Sequence, residues 1–168
     1  AYIDGTDEAE VRRAAEEAMA KGPLKLIIAE TPANPTAAIV DLDLMVRIAS
    51  EVEAKQGHRP LVVVDNTLLG PFAQRPIEHG VDLCMTSLTK YCGGHSDLLA
   101  GGISGRKELI DNLRMLRTTW GNHLDPYTSW LVLRSLESVA VRTERAMSNA
   151  RGVAEYLRDH PKVAGVTY

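Results

Sequence analysis

Apolar and polar residues follow two different periods along this chain. Short, nearly continuous apolar runs predict three strands, at residues 24–29, 61–64 and 82–86, each buried on both faces of a parallel sheet. Apolar residues that recur every three to four positions predict helices at residues 7–21 and 43–54. Strand, helix and strand in this order indicate an α/β domain with a mostly parallel sheet flanked by helices.

The second half of the chain has mainly helical periodicity. Residues 100–104 predict one more strand, and helices are expected at residues 107–118 and 126–136. Residues 139–160 predict one long helix or two shorter ones. Residues 163–168 then have the pattern of a new strand. Because a strand without a partner is hard to leave exposed, we expect the chain to be part of a longer protein.

Composition and charge narrow the functional class. Hydrophobic residues make up 45% of the 168 positions and charged residues 24%, as is usual in globular proteins that dissolve in water. The formal net charge is -3 and the basic residues are scattered, so no surface for nucleic acid is predicted. No apolar run is long enough to cross a membrane, and no signal-peptide pattern is seen, which favours the cytoplasm. A small molecule is therefore the expected partner.

A polar cluster directly follows each of the three predicted strands in the first half. The clusters lie at residues 30–35, 65–67 and 87–90. Ligands of open α/β sheets bind beyond the carboxyl ends of the strands. If the strands are neighbours, Asn34, Asp65 and Lys90 converge on one crevice. The sequence therefore predicts a site that combines an amide, a carboxylate and an amine.

Pyridoxal phosphate is a cofactor that would use this set of side chains. Its aldehyde needs an amine, which Lys90 has, and its ring nitrogen needs a carboxylate, which Asp65 has. Its phosphate needs hydroxyl donors, which Ser87 and Thr89 supply. Asn34 can donate to the ring hydroxyl. Burial is expected to keep the free amine of Lys90 neutral enough to act as a base.

Three stretches of the chain resemble a known family. They are VVVDNTLLGPFAQRPIEHGVDL, TSLTKYCGGHSDLLAGG and LDPYTSWLVLRSLESVAVRTERA, and the resemblance extends over essentially all 168 residues. These stretches are similar to the Cys/Met metabolism family of pyridoxal-phosphate-dependent enzymes. That family includes cystathionine γ-synthase, cystathionine γ-lyase, cystathionine β-lyase, methionine γ-lyase and O-acylhomoserine sulfhydrylase.

The resemblance implies a role for each residue of the predicted site. By matching position, Lys90 would hold the cofactor as a Schiff base and act as the catalytic base, and Asp65 would pair with the pyridine nitrogen. The other implied cofactor-binding residues are Ser87 and Thr89 at the phosphate, Asn34 near the ring hydroxyl and Thr67 beside the ring. The implied reaction is a β- or γ-elimination or a γ-replacement on an amino acid such as cystathionine, methionine or a homoserine ester.

The resemblance also implies a fold and an assembly. The fold is the large domain of a fold-type I pyridoxal-phosphate-dependent transferase. Residues 1–160 match its central part, and residues 161–168 match the start of a C-terminal small domain. Family members are longer, and their upstream and downstream portions supply further groups to the site. Because members form homotetramers built from two dimers, we expect a homo-oligomer.

Two alternatives remain open from the sequence. The first is another fold-type I pyridoxal-phosphate enzyme, such as an aminotransferase or a decarboxylase, although the close family match after Lys90 counts against it. The second is a truncated, non-catalytic paralogue that binds a partner or dimerises through its helical half. The lack of the upstream phosphate-binding groups favours that alternative, whereas the intact set of Asp65, Ser87, Thr89 and Lys90 opposes it.

Several other side chains are predicted to be structural. The two cysteines, Cys84 and Cys92, are too few for a disulfide framework or a structural zinc site, so both are expected to be reduced and no metal is expected. His95 is expected to order the loop after the lysine, and Glu30 and Asp97 are also expected to be structural. Trp120 and Trp130 are interpreted as core or subunit-interface residues. Three arginines are interpreted as a solvated helix face: Arg142, Arg145 and Arg151.

Overall fold

Four strands form one sheet within residues 3–168, the part of the chain that the computed structural model describes. In the order in which they lie in the sheet, they are β1 (Leu26–Glu30), β2 (Leu61–Asp65), β3 (Leu83–Ser87) and β4 (Gly101–Gly105). The first three strands are parallel, and β4 is antiparallel to β3. The predicted α/β class with a mostly parallel sheet is therefore confirmed.

Six α-helices accompany the sheet in the described residues: α1 (Glu8–Lys21), α2 (Leu42–Gln56), α3 (Gly70–Ala73), α4 (Lys107–Trp120), α5 (Pro126–Leu136) and α6 (Val139–Arg158). A 3₁₀-helix (Pro76–His79) and a π-helical turn (Leu88–Cys92) complete the elements. Aspartates accept backbone N–H groups at three helix starts: Asp7 for α1, Asp41 for α2 and Asp125 for α5. None of these helices combines the length and hydrophobicity that crossing a membrane requires.

The main core lies between the sheet and the pair of helices α1 and α2. Val62 and Val64 of β2 and Ile48 and Ala49 of α2 are almost inaccessible to solvent. Full burial of an aliphatic side chain of this size stabilises the fold by about 1.5–3 kcal/mol. This core packs β2 tightly, so the residues that follow its carboxyl end are attached to a well-packed strand.

The prediction that β1 is buried on both faces is wrong. Ile28 is 62% exposed and Leu26 is 45% exposed, whereas Ala29 is buried. β1 is an edge strand of this sheet, and the described residues cover only the face that packs against α1 and α2. An apolar run predicts that a strand is buried, but it does not say which residues supply the cover.

The C-terminal segment and the tryptophans also differ from expectation. Residues 163–168 form no strand, because no strand within residues 3–168 lies beside them to exchange hydrogen bonds. Residues 139–160 contain one helix, α6, rather than two. Trp120 and Trp130 are 73% and 54% exposed, so their interpretation as core residues is wrong. A role in a subunit interface stays a prediction.

A buried carboxylate stabilises the amino end of β3, at the opposite end of the sheet from the predicted site. Oδ2 of Asp82 accepts from Arg59 Nη1 at 2.6 Å and from Val62 N at 2.8 Å. Its Oδ1 lies 2.7 Å from Arg106 Nη2. We expect Asp82→Ala to lower the free energy of unfolding by about 3 kcal/mol, since it leaves the buried N–H of Val62 without an acceptor and the largely buried Arg59 without its partner. Chemical denaturation would measure this loss, and a similar loss in the exposed Asp43→Ala control would contradict it.

Candidate active site

The carboxyl ends of the three parallel strands meet along one edge of the sheet. Glu30 of β1 pairs with Asp65 of β2, which in turn lies opposite Met85 of β3. An open cleft of about 1080 Å³ lies beyond these ends. The six predicted site residues all line it: Asn34, Asp65, Thr67, Ser87, Thr89 and Lys90. The structure thus brings together the residues whose convergence the sequence predicts, while their chemical roles stay predictions.

A chain of hydrogen bonds links Asp65, Thr67 and Ser87. The backbone N–H of Thr67 donates to Asp65 Oδ1 at 2.9 Å, and the Thr67 hydroxyl donates to the same oxygen at 2.6 Å. The backbone N–H of Ser87 donates to Thr67 Oγ1 at 2.8 Å. Thr67 therefore ties the end of β2 to the end of β3 and orients the Asp65 carboxylate. This bonding role was not anticipated from the sequence.

Lys90 lies in a tight turn that directly follows β3. Residues 88–94, the lysine turn, close through hydrogen bonds of 2.7 Å from Gly93 N to Leu88 O and from Gly94 N to Lys90 O. Lys90 has φ -84° and ψ -122°, which are not helical values, so the chain changes direction at this residue. Its side chain is exposed, because residues 3–168 leave the cleft open. The expected burial of the amine is therefore wrong for this part of the chain.

The Thr89 hydroxyl is already engaged with the backbone. Its Oγ1 donates to Ala100 O at 3.2 Å and accepts from Ala100 N at 2.9 Å. These bonds hold the lysine turn against the residue that precedes β4. A hydroxyl has one proton, so donating to a phosphate would require Thr89 to release Ala100 O. The predicted phosphate contact of Thr89 would therefore come at the expense of an existing hydrogen bond.

We expect Thr89→Val to lower the free energy of unfolding by about 1 kcal/mol or more, because Ala100 N loses its acceptor. Thr89→Ser keeps the hydroxyl and should stay close to the unmodified protein. Denaturation of the full chain without added cofactor would measure both values. Equal losses in the two variants would show that the hydroxyl does not stabilise the turn.

The cleft includes an amine, a hydroxyl and a carboxylate oxygen that have no hydrogen-bond partner among residues 3–168. They are the amine of Lys90, the hydroxyl of Ser87 and the Oδ2 oxygen of Asp65. An amine, a hydroxyl donor and a carboxylate oxygen are the groups that the aldehyde, the phosphate and the protonated ring nitrogen of pyridoxal phosphate require. The residues present therefore fit this cofactor.

The rim of the cleft has further polar groups. Asn34 is exposed, and its backbone N–H donates to Glu30 Oε1 at 3.3 Å. His95 Nδ1 lies 2.6 Å from Gly93 O, which agrees with its interpretation as a residue that orders the lysine turn. Glu30 and Asp97, which were also interpreted as structural, both line the cleft.

The interpretation of Arg142 as part of a solvated helix face is wrong. Its guanidinium reaches from α6 to the lysine turn, where Nη1 donates to Tyr91 O at 2.7 Å and Nη2 donates to Cys92 O at 3.1 Å. The interpretation rests on the run of three arginines, and the sequence contains no local signal for a contact so distant along the chain. The contact follows from the packing of α6 against this turn.

The two cysteines are free and buried. Burial raises the pKa of the Cys84 thiol and of the Cys92 thiol above their usual range. Because the thiolate is the nucleophilic form, neither side chain is suited to attack a substrate. Within residues 3–168, no group of three histidine, cysteine, aspartate or glutamate side chains is arranged to hold a metal ion.

Comparisons with known proteins support a single family. The family described as Cys/Met metabolism PLP-dependent enzyme matches residues 1–168. An L-methionine gamma-lyase from Treponema denticola is 34% identical over 171 aligned positions, which cover 99% of this chain and 40% of that protein. A cystathionine beta-lyase from Coxiella burnetii is 38% identical over 169 positions, which cover 99% of this chain and 41% of that protein. The chain thus spans about 40% of the length of these relatives.

A solved structure has the same fold. The crystal structure of cystathionine gamma-lyase from Lactobacillus plantarum, complexed with L-serine, matches with a TM-score of 0.83 and 32% sequence identity. The match covers 96% of this chain and 40% of that chain. It confirms the predicted fold class, and the family match implies the predicted cofactor, pyridoxal phosphate. The chain therefore belongs to the Cys/Met metabolism family of pyridoxal-phosphate-dependent enzymes.

Proposed function

We propose that the protein containing this chain carries out a β- or γ-elimination, or a γ-replacement, on a sulfur-containing amino acid. The convergence of Lys90, Asp65 and Ser87 on one cleft, each with an unpartnered polar atom among residues 3–168, carries the proposal. Family membership supports the same reaction class. When bound, pyridoxal phosphate would supply an electron-accepting ring that stabilises negative charge on the substrate.

In this proposal, Lys90 has two roles. Its amine would hold the cofactor in the resting enzyme and would be free while the substrate is bound. The freed Nζ then acts as a base that removes a proton from the α carbon and as an acid that returns a proton at the β or γ carbon. A positioned acid–base group of this kind contributes about 10²- to 10⁴-fold to the rate. The unpartnered state of Nζ among the described residues supports both roles.

Asp65 would hold the ring nitrogen in its protonated form. Its Oδ1 is occupied by Thr67, so Oδ2 is the oxygen left for the ring. A hydrogen bond to an ionised carboxylate is shorter and about twice as strong as one between neutral groups. The Ser87 hydroxyl would bind the phosphate together with Thr89. Asn34 would donate to the ring hydroxyl, and Thr67 would lie beside the ring.

The substrate belongs to the class whose leaving group is at the β or γ carbon. Two relatives of similar identity are a methionine gamma-lyase and a cystathionine beta-lyase, so both positions of cleavage occur among similar proteins. Cystathionine, methionine and homoserine esters are the proposed candidates. The residues that choose among them must contact the substrate side chain rather than the cofactor.

The proposed protein is a cytoplasmic homo-oligomer, a dimer of dimers. Residues 1–160 would form the central part of its large domain, and residues 161–168 the start of its small domain. Exposed aromatic and aliphatic side chains support an assembly that covers part of this surface, since Trp120 is 73% exposed and Leu133 is 66% exposed. The net charge of -3 supports a small-molecule substrate rather than a nucleic acid.

Turnover of L-cystathionine by the full chain, loaded with pyridoxal phosphate, tests this proposal. With one water, β-elimination yields homocysteine, pyruvate and ammonia, whereas γ-elimination yields cysteine, 2-oxobutanoate and ammonia. Parallel reactions contain methionine, or a homoserine ester together with a thiol. The proposal predicts that at least one of these substrates is converted, and that any conversion of cystathionine yields one of the two keto acids. Mass spectrometry identifies the product. A protein that holds the cofactor but converts none of these substrates would contradict the proposal and favour a non-catalytic binding module.

A further inference from the structure

The guanidinium of Arg142 holds together three backbone carbonyls from two elements. Two of them, Tyr91 O and Cys92 O, directly follow Lys90 in the lysine turn. The third is Ser135 O, near the end of α5, to which Nη2 donates at 2.8 Å. Ser135 and Cys92 are buried. Arg142 therefore ties the lysine turn to the helical half of the protein.

Hydrogen bonds within the lysine turn do not use the carbonyls of Tyr91 and Cys92. These hydrogen bonds use the carbonyls of Leu88 and Lys90, which accept from Gly93 N and Gly94 N. The next two carbonyls along the chain, of residues 91 and 92, accept from the guanidinium instead. An arginine is permanently charged and presents several donors in a fixed plane, so one side chain can serve three carbonyls. A lysine amine is a compact group that cannot reproduce this geometry.

Lys90 is thus held from both sides. On one side, the Thr89 hydroxyl exchanges hydrogen bonds with Ala100, and on the other side Arg142 binds the two carbonyls that follow Lys90. The backbone changes direction at Lys90, between these anchors. We infer that Arg142 is a positioning residue for the Lys90 amine, an inference that rests on the proposed role of Lys90 in holding the cofactor.

The guanidinium of Arg142 also packs directly against Gly94 of the lysine turn. Gly94 has φ +75°, and a Cβ atom built on it would lie 1.9 Å from Arg142 Nη1 and 2.7 Å from Cζ. Both distances are far below a van der Waals contact, so the guanidinium occupies the space that a Cβ atom at this position would fill. An alanine at this position would displace the guanidinium and would also strain the backbone of the turn, so this substitution does not test Arg142 alone.

The first test uses Arg142→Met in the full chain without cofactor. Hydrogen exchange is measured in the peptides that cover residues 88–94. Loss of charge-assisted hydrogen bonds to this turn is expected to speed exchange there by about tenfold or more. The matched control is Arg145→Met, which removes an exposed arginine from the same helix and is expected to leave the exchange unchanged. Unchanged exchange in Arg142→Met would overturn the inference.

The second test measures how fast pyridoxal phosphate becomes fixed on Lys90 in the presence of cyanoborohydride, which reduces the imine and leaves the free aldehyde intact. We expect Arg142→Met to slow this rate by about tenfold and Arg142→Lys to restore only part of it, because lysine cannot serve all three carbonyls. Arg142→Lys keeps a charge and an aliphatic stem at this position, which keeps the test decisive if Arg142→Met fails to fold. Arg142→Met could speed hydrogen exchange in the lysine turn and leave the rate of cofactor fixation unchanged. Arg142 would then have only a structural role, and the inference would be overturned.

The two tests separate this inference from the proposed function. If the unmodified protein fixes no cofactor on Lys90, the proposed function fails, and the positioning role fails with it. In that case the exchange measurement would still report whether Arg142 anchors the turn. If the unmodified protein does fix the cofactor and the variants fix it equally fast, only the positioning role is overturned.

Discussion

Lys90→Ala is expected to abolish turnover and the covalent capture of pyridoxal phosphate. Lys90 is the only lysine among the described residues that line the cleft, so no neighbouring amine can take its place. Loss of both the attachment point and the acid–base group should lower turnover by about 10³-fold or more. The visible absorption of the protein with added cofactor and the rate of keto acid release measure the two effects.

The same substitution should leave the fold intact. The Lys90 side chain is exposed and has no hydrogen-bond partner among residues 3–168, so its removal costs no packing contact of the core. The matched control is Lys107→Ala, which removes an exposed lysine that pairs with Asp111 on α4. A Lys90→Ala protein that still released keto acid at the unmodified rate would contradict the assignment of Lys90. So would an equal loss of activity in Lys107→Ala.

Asp65→Asn is expected to lower turnover by about 10²- to 10³-fold, the usual effect of removing one electrostatic stabiliser from an active site. Asparagine has nearly the same shape, and its side-chain oxygen can still accept from the Thr67 N–H and hydroxyl, as Oδ1 of Asp65 does. The substitution therefore removes the charge of Oδ2 while keeping the local structure. Because Lys90 is unchanged, covalent capture of the cofactor should persist.

Steady-state kinetics measures the effects of Asp65→Asn on kcat and on KM separately. We predict that kcat falls while KM changes little, because the charge on Asp65 acts on the cofactor ring rather than on substrate binding. Asp97→Asn is the matched control, since it removes another carboxylate from the lining of the same cleft. If both variants lost activity equally, the overall charge of the cleft would explain the effect. A specific role of Asp65 would then be rejected.

Local sequence signals predicted most of the secondary structure because the features that form each element are close together in sequence. In α5, for example, Asp125 caps the helix and Pro126 begins it, and the observed bounds of that helix equal the predicted ones. β1 was predicted less well. The exposure of Ile28 depends on which residues cover the outer face of the sheet, and an apolar run contains no information about them.

The sequence also predicted one part of the candidate site, the residues that line it, and did not predict another, the hydrogen bonds that orient them. Polar residues directly after apolar strands predicted that Asp65 and Lys90 line one cleft, since parallel neighbouring strands end at the same edge. The hydrogen bonds that orient the site were not predictable. Thr89 bonds to Ala100 and Arg142 bonds to the lysine turn only after distant segments have packed together. The run of arginines in this segment indicates a solvated face only when the segment is considered separately from the turn against which it packs.

Borohydride reduction of the full chain with pyridoxal phosphate, followed by mass mapping of its peptides, tests most directly whether this cleft holds the cofactor. We predict one reduced pyridoxyl phosphate group per chain, located on Lys90. Exposed lysines elsewhere, such as Lys55 on α2 and Lys107 on α4, should carry only traces of label. A folded protein with no label on Lys90, or with label spread evenly over its lysines, would contradict the assignment of the site.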